Sequence, residues 1–173
     1  MATVETLVRT IRILIVDDHE VMRGGLRSLL ESRPEWEVCG EAANGLEAVE
    51  KAKRLKPDVV ILDINMPALN GLDAARLIRK QVPQTEILIL SRYEASEMRS
   101  VALQAGAREY VAKSQNLARD LLVALDDVAR QRSTSPRTQI LSLNTPPDGL
   151  STAEVESRAN FGNPDSETRD PRA

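Results

Sequence analysis

The stretch of sequence that decides the fold is Val59-Val60-Ile61-Leu62-Asp63-Ile64-Asn65-Met66-Pro67. An apolar run rich in β-branched residues ends directly on a carboxylate, and a proline follows soon after. A run this short and this apolar is typical of a strand buried on both faces of a parallel sheet. Asp63 then lies where a central strand ends and a loop begins, which is the edge at which open α/β sheets bind ligands. We therefore predict that Asp63 is the reacting group.

Length and composition suit one domain with an appendage, because the chain has 173 residues. The formal net charge is −3 and no basic block is present, which argues against DNA as a partner. The single cysteine, Cys39, excludes an internal disulfide and lies in an apolar run, so we expect a buried structural thiol. Residues 1–10 read as a flexible N-terminus without a secretory signal, and no apolar run approaches the roughly 20 residues of a membrane span. We expect a soluble cytoplasmic protein without a membrane partner.

Strand and helix patterns alternate along residues 11–131. The predicted strands are 11–16, 36–42, 59–63, 86–90 and 107–112, and the predicted helices are 19–32, 46–55, a segment after Asn70-Gly71 that Pro83 stops, 95–105 and 115–131. This alternation predicts right-handed crossovers and a parallel sheet with helices on both faces, the second strand lying nearer an edge. Residues 132–173 are rich in proline, serine and threonine and poor in apolar residues, so we predict a disordered polar tail.

Polar side chains end four of the predicted strands: Asp17-Asp18, Asp63, Ser91 and Lys113. Because parallel strands end at one edge of a sheet, these residues are expected to converge. Three carboxylates in one crevice raise each other's pKa or require a counter-ion. Magnesium suits such a site, since it prefers oxygen ligands and keeps several of its waters. The sequence therefore predicts a magnesium site made by Asp17, Asp18 and Asp63.

The same residues fit phosphoryl transfer. A carboxylate can act as a nucleophile and form an aspartyl phosphate. The reaction needs positioning and charge neutralisation more than acid–base help. We therefore predict Asp63 as the phosphoacceptor, with Lys113 neutralising charge on the transferred group and the Ser91 hydroxyl holding one of its oxygens.

Structural roles are the alternatives for these residues. Asp17-Asp18 fits the N-terminal cap of the first helix, where backbone N–H groups favour carboxylates. Ser91 and Lys113 also fit an ordinary strand-end hydroxyl and a solvated lysine. Tyr110 fits a half-buried strand aromatic. His19 follows the acidic pair, but we expect it at the surface and assign it neither to metal binding nor to catalysis.

Residues 11–131 resemble the receiver domain of a two-component response regulator. The matching residues are Asp17-Asp18, Asp63 with Met66-Pro67 after it, Ser91 and Lys113. The stretches Asp17-Asp18-His19, Asn70-Gly71-Leu72-Asp73 and Gly106-Ala107-Arg108-Glu109-Tyr110-Val111-Ala112-Lys113-Ser114 resemble receivers of the NarL/FixJ branch. The resemblance implies a flavodoxin-like (βα)5 fold with strand order 2-1-3-4-5.

The resemblance also implies a mechanism. A sensor histidine kinase would donate a phosphoryl group to Asp63, and the backbone carbonyl of Asn65 would be a further magnesium ligand. Ser91 would then move toward the phosphoryl group and Tyr110 would rotate inward, which changes the face made by the fourth helix, fifth strand and fifth helix. The output would pass to a downstream protein or a phosphotransfer protein, with homodimerisation on phosphorylation left open. Beyond self-catalysed phosphorylation and dephosphorylation, we expect no enzyme activity.

Two departures from the family pattern bear on function. Arg92 stands directly after Ser91, where the family usually has a small or apolar residue, so a long cation either contacts the phosphoryl group or obstructs access to it. The branch usually continues into a DNA-binding helix-turn-helix, whereas this sequence continues into a polar tail. The first hypothesis is therefore a signalling switch without its own DNA-binding domain. The alternative is a truncated or degenerate transcription regulator of the NarL/FixJ type.

Overall fold

The computed structural model describes residues 9–93 and 96–134, with only the backbone of Thr134. The strands are β1 (Ile11–Val16), β2 (Trp36–Ala42), β3 (Val59–Asp63), β4 (Glu86–Ser91) and β5 (Glu109–Ala112). The helices are α1 (Glu20–Glu31), α2 (Gly45–Leu55), α3 (Gly71–Gln81), α4 (Ser96–Gln104) and α5 (Leu117–Thr134). The predicted limits agree within two residues, apart from the end of α5. Residues 1–8 of the predicted flexible N-terminus and the predicted tail from residue 135 onward lie outside the described residues.

The five strands form one parallel sheet in the order β2-β1-β3-β4-β5. This order confirms the predicted flavodoxin-like arrangement, and β2 is an edge strand as expected. The central strand is β3, and all five of its residues are buried. Its continuous apolar run is therefore explained by helices that cover the sheet on both faces.

The side chains of β3 alternate between two hydrophobic layers, as the pleat of a strand requires. Val60 and Leu62 pack in one layer, and Val59 and Ile61 pack in the other. The first layer is completed by residues of α2, α3 and α4: Ala48, Val49, Ala52, Ala74, Ala75, Ile78 and Ala102. The second layer is completed by residues of α1 and α5: Leu26, Leu30, Leu121, Leu125 and Val128. Burial of each large side chain contributes about 1.5–3 kcal/mol, so these layers fix the direction of β3 and the position of Asp63 at its end.

Glycines begin both α2 and α3, and each lies against the loop that follows β3. A Cβ on Gly71 would lie 2.0 Å from the carbonyl oxygen of Asp63, and one on Gly45 would lie 2.2 Å from that of Leu69. The Gly71 N–H donates to the Ile64 carbonyl at 2.8 Å, and the Gly45 N–H donates to the Leu69 carbonyl at 3.1 Å. The loop after Asp63 is therefore held at both ends by helix starts that have no room for a side chain.

An ionic cluster surrounds Asp58 at the opposite end of β3, and Asp58 is 6% exposed. Its carboxylate accepts hydrogen bonds from the Arg12 N–H at 2.9 Å and from the Arg132 guanidinium at 2.6 Å. Arg9 adds a third contact at 3.2 Å. The sequence predicts Arg132 as the first residue of the tail, but α5 continues to Thr134 and includes it. Within these added residues of α5, Arg132 contacts both Asp58 and the Gln84 carbonyl.

Cys39 is half-buried rather than buried, and burial raises the pKa of its thiol. Within the described part of the chain, no helix combines the length and the apolar character needed to cross a membrane.

Candidate functional site

The structure brings the predicted polar residues together at the carboxyl edge of the sheet. Asp17 follows β1, Asp63 ends β3, Ser91 ends β4 and Lys113 follows β5. Asp17 and Ser91 are fully buried, and Asp63 is 3% exposed. The Lys113 side chain is 5% exposed. This convergence follows from the parallel topology, since each strand delivers one polar group to the same edge.

Lys113 lies at the centre of the site. Its Nζ donates to Asp17 Oδ2 at 2.6 Å and lies 3.0 Å from Asp63 Oδ1. Its backbone N–H donates to the Ser91 carbonyl at 2.6 Å. Lys113 is therefore paired with two carboxylates at once, and the alternative of a solvated lysine is excluded.

The two carboxylates that share Lys113 have opposite pKa shifts. Burial alone would raise the pKa of Asp17, but hydrogen bonds from Lys113 and from the His19 N–H outweigh burial and lower it. Burial raises the pKa of Asp63, and the charges of Asp17 and Asp18 act in the same direction against the attraction of Lys113. Asp17 has the shorter contact with Lys113 and an additional N–H donor, which explains the difference. The site therefore carries more negative charge than its lysine neutralises.

His19 contacts both members of the acidic pair. Its Nδ1 lies 3.2 Å from Asp17 Oδ1 and 2.9 Å from Asp18 Oδ1. One ligand atom from each of these three residues lies within 4.8 Å of the others. His19 is also the N-cap residue of α1 and has no side-chain capping bond, so the acidic pair does not cap this helix. Sequence reasoning alone gives His19 no role at the site, although its position directly after Asp18 is a signal for one.

Arg23 of α1 contacts the backbone of the acidic pair. Its Nη1 donates to the Asp17 carbonyl at 2.7 Å, and its Nε lies 3.3 Å from the Glu41 carboxylate on β2. The sequence contained no signal for this residue, because the contact depends on how α1 packs against the edge strand. Arg23 fixes the backbone from which the Asp17 carboxylate projects.

The backbone of Tyr93 lies between Ser91 and Tyr110. The Tyr93 N–H donates to Ser91 Oγ at 3.2 Å, and the Tyr110 hydroxyl donates to the Tyr93 carbonyl. Tyr110 is 6% exposed, so it is buried rather than half-buried. Ser91 is therefore connected to Tyr110 through one short backbone segment.

Two exposed residues lie around the acidic group. Asn65 is in the loop after β3 and lines a cleft of about 490 Å³ with Met66 and Asn70. Arg92 follows β4, and its Nη2 is 3.5 Å from His19 Nε2. The loop after β3 therefore borders a cleft, and the side chains of Arg92 and His19 approach each other at the same edge of the sheet.

Comparison with known proteins agrees with this geometry. Residues 13–126 match the response regulator receiver domain family. The protein-glutamate methylesterase/protein-glutamine glutaminase of Pyrococcus abyssi is 46% identical over 106 residues, which are 61% of this chain and 29% of that protein. The response regulator protein VraR of Staphylococcus aureus is 38% identical over 124 residues, which are 72% of this chain and 59% of that protein. The chain thus spans less than two thirds of the length of either relative.

Solved structures show the same fold. The response regulator domain of Thermotoga maritima CheB is 37% identical with a TM-score of 0.65, covering 74% of this chain and all of that one. The signal receiver domain of NarL from Mycobacterium tuberculosis is 30% identical with a TM-score of 0.65, covering 70% of this chain and 98% of that one. The family match covers more than half of the chain, and the chain therefore belongs to the family of response regulator receiver domains.

Proposed function

We propose that this protein is a phosphorylation-dependent signalling switch in which Asp63 accepts a phosphoryl group from a sensor histidine kinase. The observation that carries the proposal is the 3.0 Å contact of Asp63 with Lys113 at the edge of a receiver-domain sheet. Membership in the family supports a signalling role, and we expect that role in the cytoplasm. The similarity to the methylesterase covers only 29% of that protein, so it supports a receiver-type phosphoacceptor and does not bear on methylesterase activity.

In the phosphoryl transfer, the protein supplies the nucleophile and stabilises charge on the transferred group. A carboxylate oxygen of Asp63 attacks the phosphorus of the donor phosphohistidine, and an O–P bond forms. The N–P bond breaks, and its electron pair stays on the donor imidazole, which takes up a proton. Lys113, already within reach of Asp63, stabilises the negative charge of the phosphoryl oxygens, and the Ser91 hydroxyl donates a hydrogen bond to one of them.

The donor set of the site fits a divalent cation. Asp17, Asp18 and Asp63 supply carboxylates, and burial together with the two neighbouring charges raises the pKa of Asp63. A site that disfavours one more negative charge gains from a positive ion, and the Asn65 carbonyl is a further oxygen ligand. Magnesium, when bound there, would neutralise charge on the transferred group.

The proposed output surface is the face of α4, β5 and α5. It contains an open groove of about 1010 Å³ whose lining includes Arg99, Glu109, Tyr110 and Val123. Val123 is 58% exposed, so an apolar side chain is available to a partner. Movement of Ser91 toward a phosphoryl group would change the Tyr93 segment and therefore Tyr110 at the groove. The partner would be a downstream protein or a phosphotransfer protein, with a second copy of this chain as another outcome.

A small phosphodonor tests the proposal. Incubation with magnesium and acetyl phosphate is expected to add one phosphoryl group, stable in acid and labile in base, as measured by intact mass. Asp63→Asn should lose the adduct, whereas Asp126→Asn, at a partly exposed position of α5, should keep it. A wild-type protein that forms no adduct would refute the proposal.

A second candidate function is regulation of transcription, and the similarity to the transcriptional regulatory protein LnrK of Bacillus subtilis, 42% identical over 106 residues, favours it. The match covers 48% of LnrK. DNA binding through phosphate contacts weakens steeply with salt. Salt-dependent binding of the phosphorylated chain to duplex DNA would favour this candidate over the signalling switch that acts through proteins.

A further inference from the structure

Two side chains from opposite sides of Asp63 meet at the mouth of the site. His19 stands between β1 and α1, and Arg92 follows β4. In the sheet, β3 lies between β1 and β4. The 3.5 Å approach of Arg92 Nη2 to His19 Nε2 therefore crosses the carboxyl end of β3, which is Asp63. The 3% exposure of Asp63 agrees with a covered position.

The contact has a consistent arrangement of hydrogens. His19 Nδ1 faces carboxylate oxygens of Asp17 and Asp18 at 3.2 and 2.9 Å, so this nitrogen carries a proton. In a neutral imidazole, Nε2 is then an acceptor, and a guanidinium can only donate. The acidic pair orients His19, and His19 in turn orients Arg92.

Arg92 has no carboxylate partner within residues 9–93 and 96–134, and His19 is its only polar side-chain contact there. A guanidinium presents a planar fork of donors that matches phosphoryl oxygens. Phosphorylation converts the Asp63 carboxylate into a group with roughly −1.5 to −2 charges and three acceptor oxygens. The aspartyl phosphate is therefore a much stronger acceptor for Arg92 than the imidazole of His19.

Resting on the proposed function, we propose that Arg92 covers Asp63, pairs with the phosphoryl group once it has formed and excludes water from it. In hydrolysis, a water oxygen attacks phosphorus opposite the Asp63 oxygen, and the bond from phosphorus to Asp63 breaks. The electron pair returns to the carboxylate, and the water protons pass to phosphate and solvent. Because the attacking and leaving oxygens are in line, water must approach from the side that Arg92 and His19 occupy. The cover therefore lengthens the lifetime of the aspartyl phosphate.

The rate of dephosphorylation tests this inference. The protein is phosphorylated with acetyl phosphate and magnesium, the donor is removed, and loss of the adduct is followed by intact mass. Arg92→Ala is expected to lose its phosphoryl group roughly fivefold faster than wild type, the factor that an exposed charge pair of about 1 kcal/mol supplies. Arg54→Ala, at an exposed position of α2, should decay at the wild-type rate. An equal or slower decay in Arg92→Ala overturns the inference.

A second measurement does not depend on turnover. Beryllium fluoride with saturating magnesium is titrated into wild type and Arg92→Ala by calorimetry, as a non-covalent mimic of the phosphoryl group. The variant is expected to bind roughly fivefold more weakly, and an unchanged affinity contradicts the pairing. If wild type and Arg54→Ala accept no phosphoryl group, the proposed function itself has failed. If they accept it and decay like Arg92→Ala, only the role of Arg92 has failed.

Discussion

Replacing Lys113 with methionine removes the ammonium at the centre of the acidic site and keeps most of the aliphatic stem. In the wild type, the Lys113 side chain is 5% exposed, and the side chains of its two partners, Asp17 and Asp63, are 0% and 4% exposed. The variant therefore leaves two buried carboxylates without the cation that both of them contact. We expect a large loss of stability from a substitution that creates only a small change in volume.

The size of the loss follows from these contacts. Removing one partner of a buried ion pair costs about 3–5 kcal/mol, because the other charge stays buried and unpaired. Asp17 retains a hydrogen bond from the His19 N–H at 2.9 Å, which reduces the penalty. We therefore expect a loss of about 3 kcal/mol in the free energy of unfolding at neutral pH without divalent cations.

The loss is expected to depend on pH. The Lys113 hydrogen bond holds the pKa of Asp17 low against burial, so its removal allows burial to raise that pKa. The pKa of Asp63, which burial already raises, rises further. When the pKa of a carboxyl group is higher in the folded state than in the unfolded state, the folded protein loses stability as the pH rises through that folded-state pKa. Protonation of the group at lower pH restores this stability. The difference between the variant and wild type should therefore shrink as the pH falls.

Urea denaturation followed by circular dichroism measures both effects. Lys80→Met, at an exposed position of α3, is the matched control and should change the midpoint little. Magnesium should recover part of the loss, since an ion that binds only the folded state stabilises it. A Lys113→Met midpoint equal to that of Lys80→Met at neutral pH would refute the reasoning, and so would a difference that grows on acidification.

Three further predictions concern the ends of β3. Asp63→Asn should stabilise the magnesium-free protein at neutral pH, because the raised pKa of Asp63 means that its negative charge destabilises the folded state. Thermal denaturation should show that this gain in stability vanishes when the pH falls below the ordinary pKa of a carboxyl group. Asp58→Ala should lower the free energy of unfolding in urea by about 2–3 kcal/mol, because it leaves the Arg12 N–H and Arg132 Nη1 without the carboxylate that accepts from them. Glu31→Ala, in an exposed ion pair, should lower it by less than about 0.5 kcal/mol. Gly71→Ala should lower the free energy of unfolding by about 2 kcal/mol or more, because the added Cβ meets the Asp63 carbonyl. The same variant should be phosphorylated more slowly by acetyl phosphate, and a wild-type rate would contradict the expected effect of this contact on Asp63.

The sheet and the composition of the acidic site could be predicted from the sequence. The apolar run ending at Asp63 identifies a strand buried on both faces, and a parallel topology then delivers Asp17, Ser91 and Lys113 to the same edge. Neither step requires knowledge of side-chain conformations. These are the features that strand periodicity and chain direction determine by themselves.

Contacts between long side chains could not be predicted in this way. The approach of Arg92 to His19 depends on rotamers and on the angle at which α1 leaves β1. The contact of Arg23 with Asp17 depends on the same angle. Arg132 looks like part of a polar tail in the sequence, but in the structure it belongs to α5 and contacts Asp58 and the Gln84 carbonyl.

The glycines at the starts of α2 and α3 set limits on how this protein can vary. Neither Gly45 nor Gly71 carries a functional group, but each leaves no room for a Cβ beside the loop that follows Asp63. The hydrogen bonds from Gly71 to Ile64 and from Gly45 to Leu69 also fix the length of that loop. In a library of all single substitutions and short insertions, selected for phosphorylation, the two glycines should therefore tolerate change as poorly as Asp63 itself. Residues 64–70 should likewise accept no added residue.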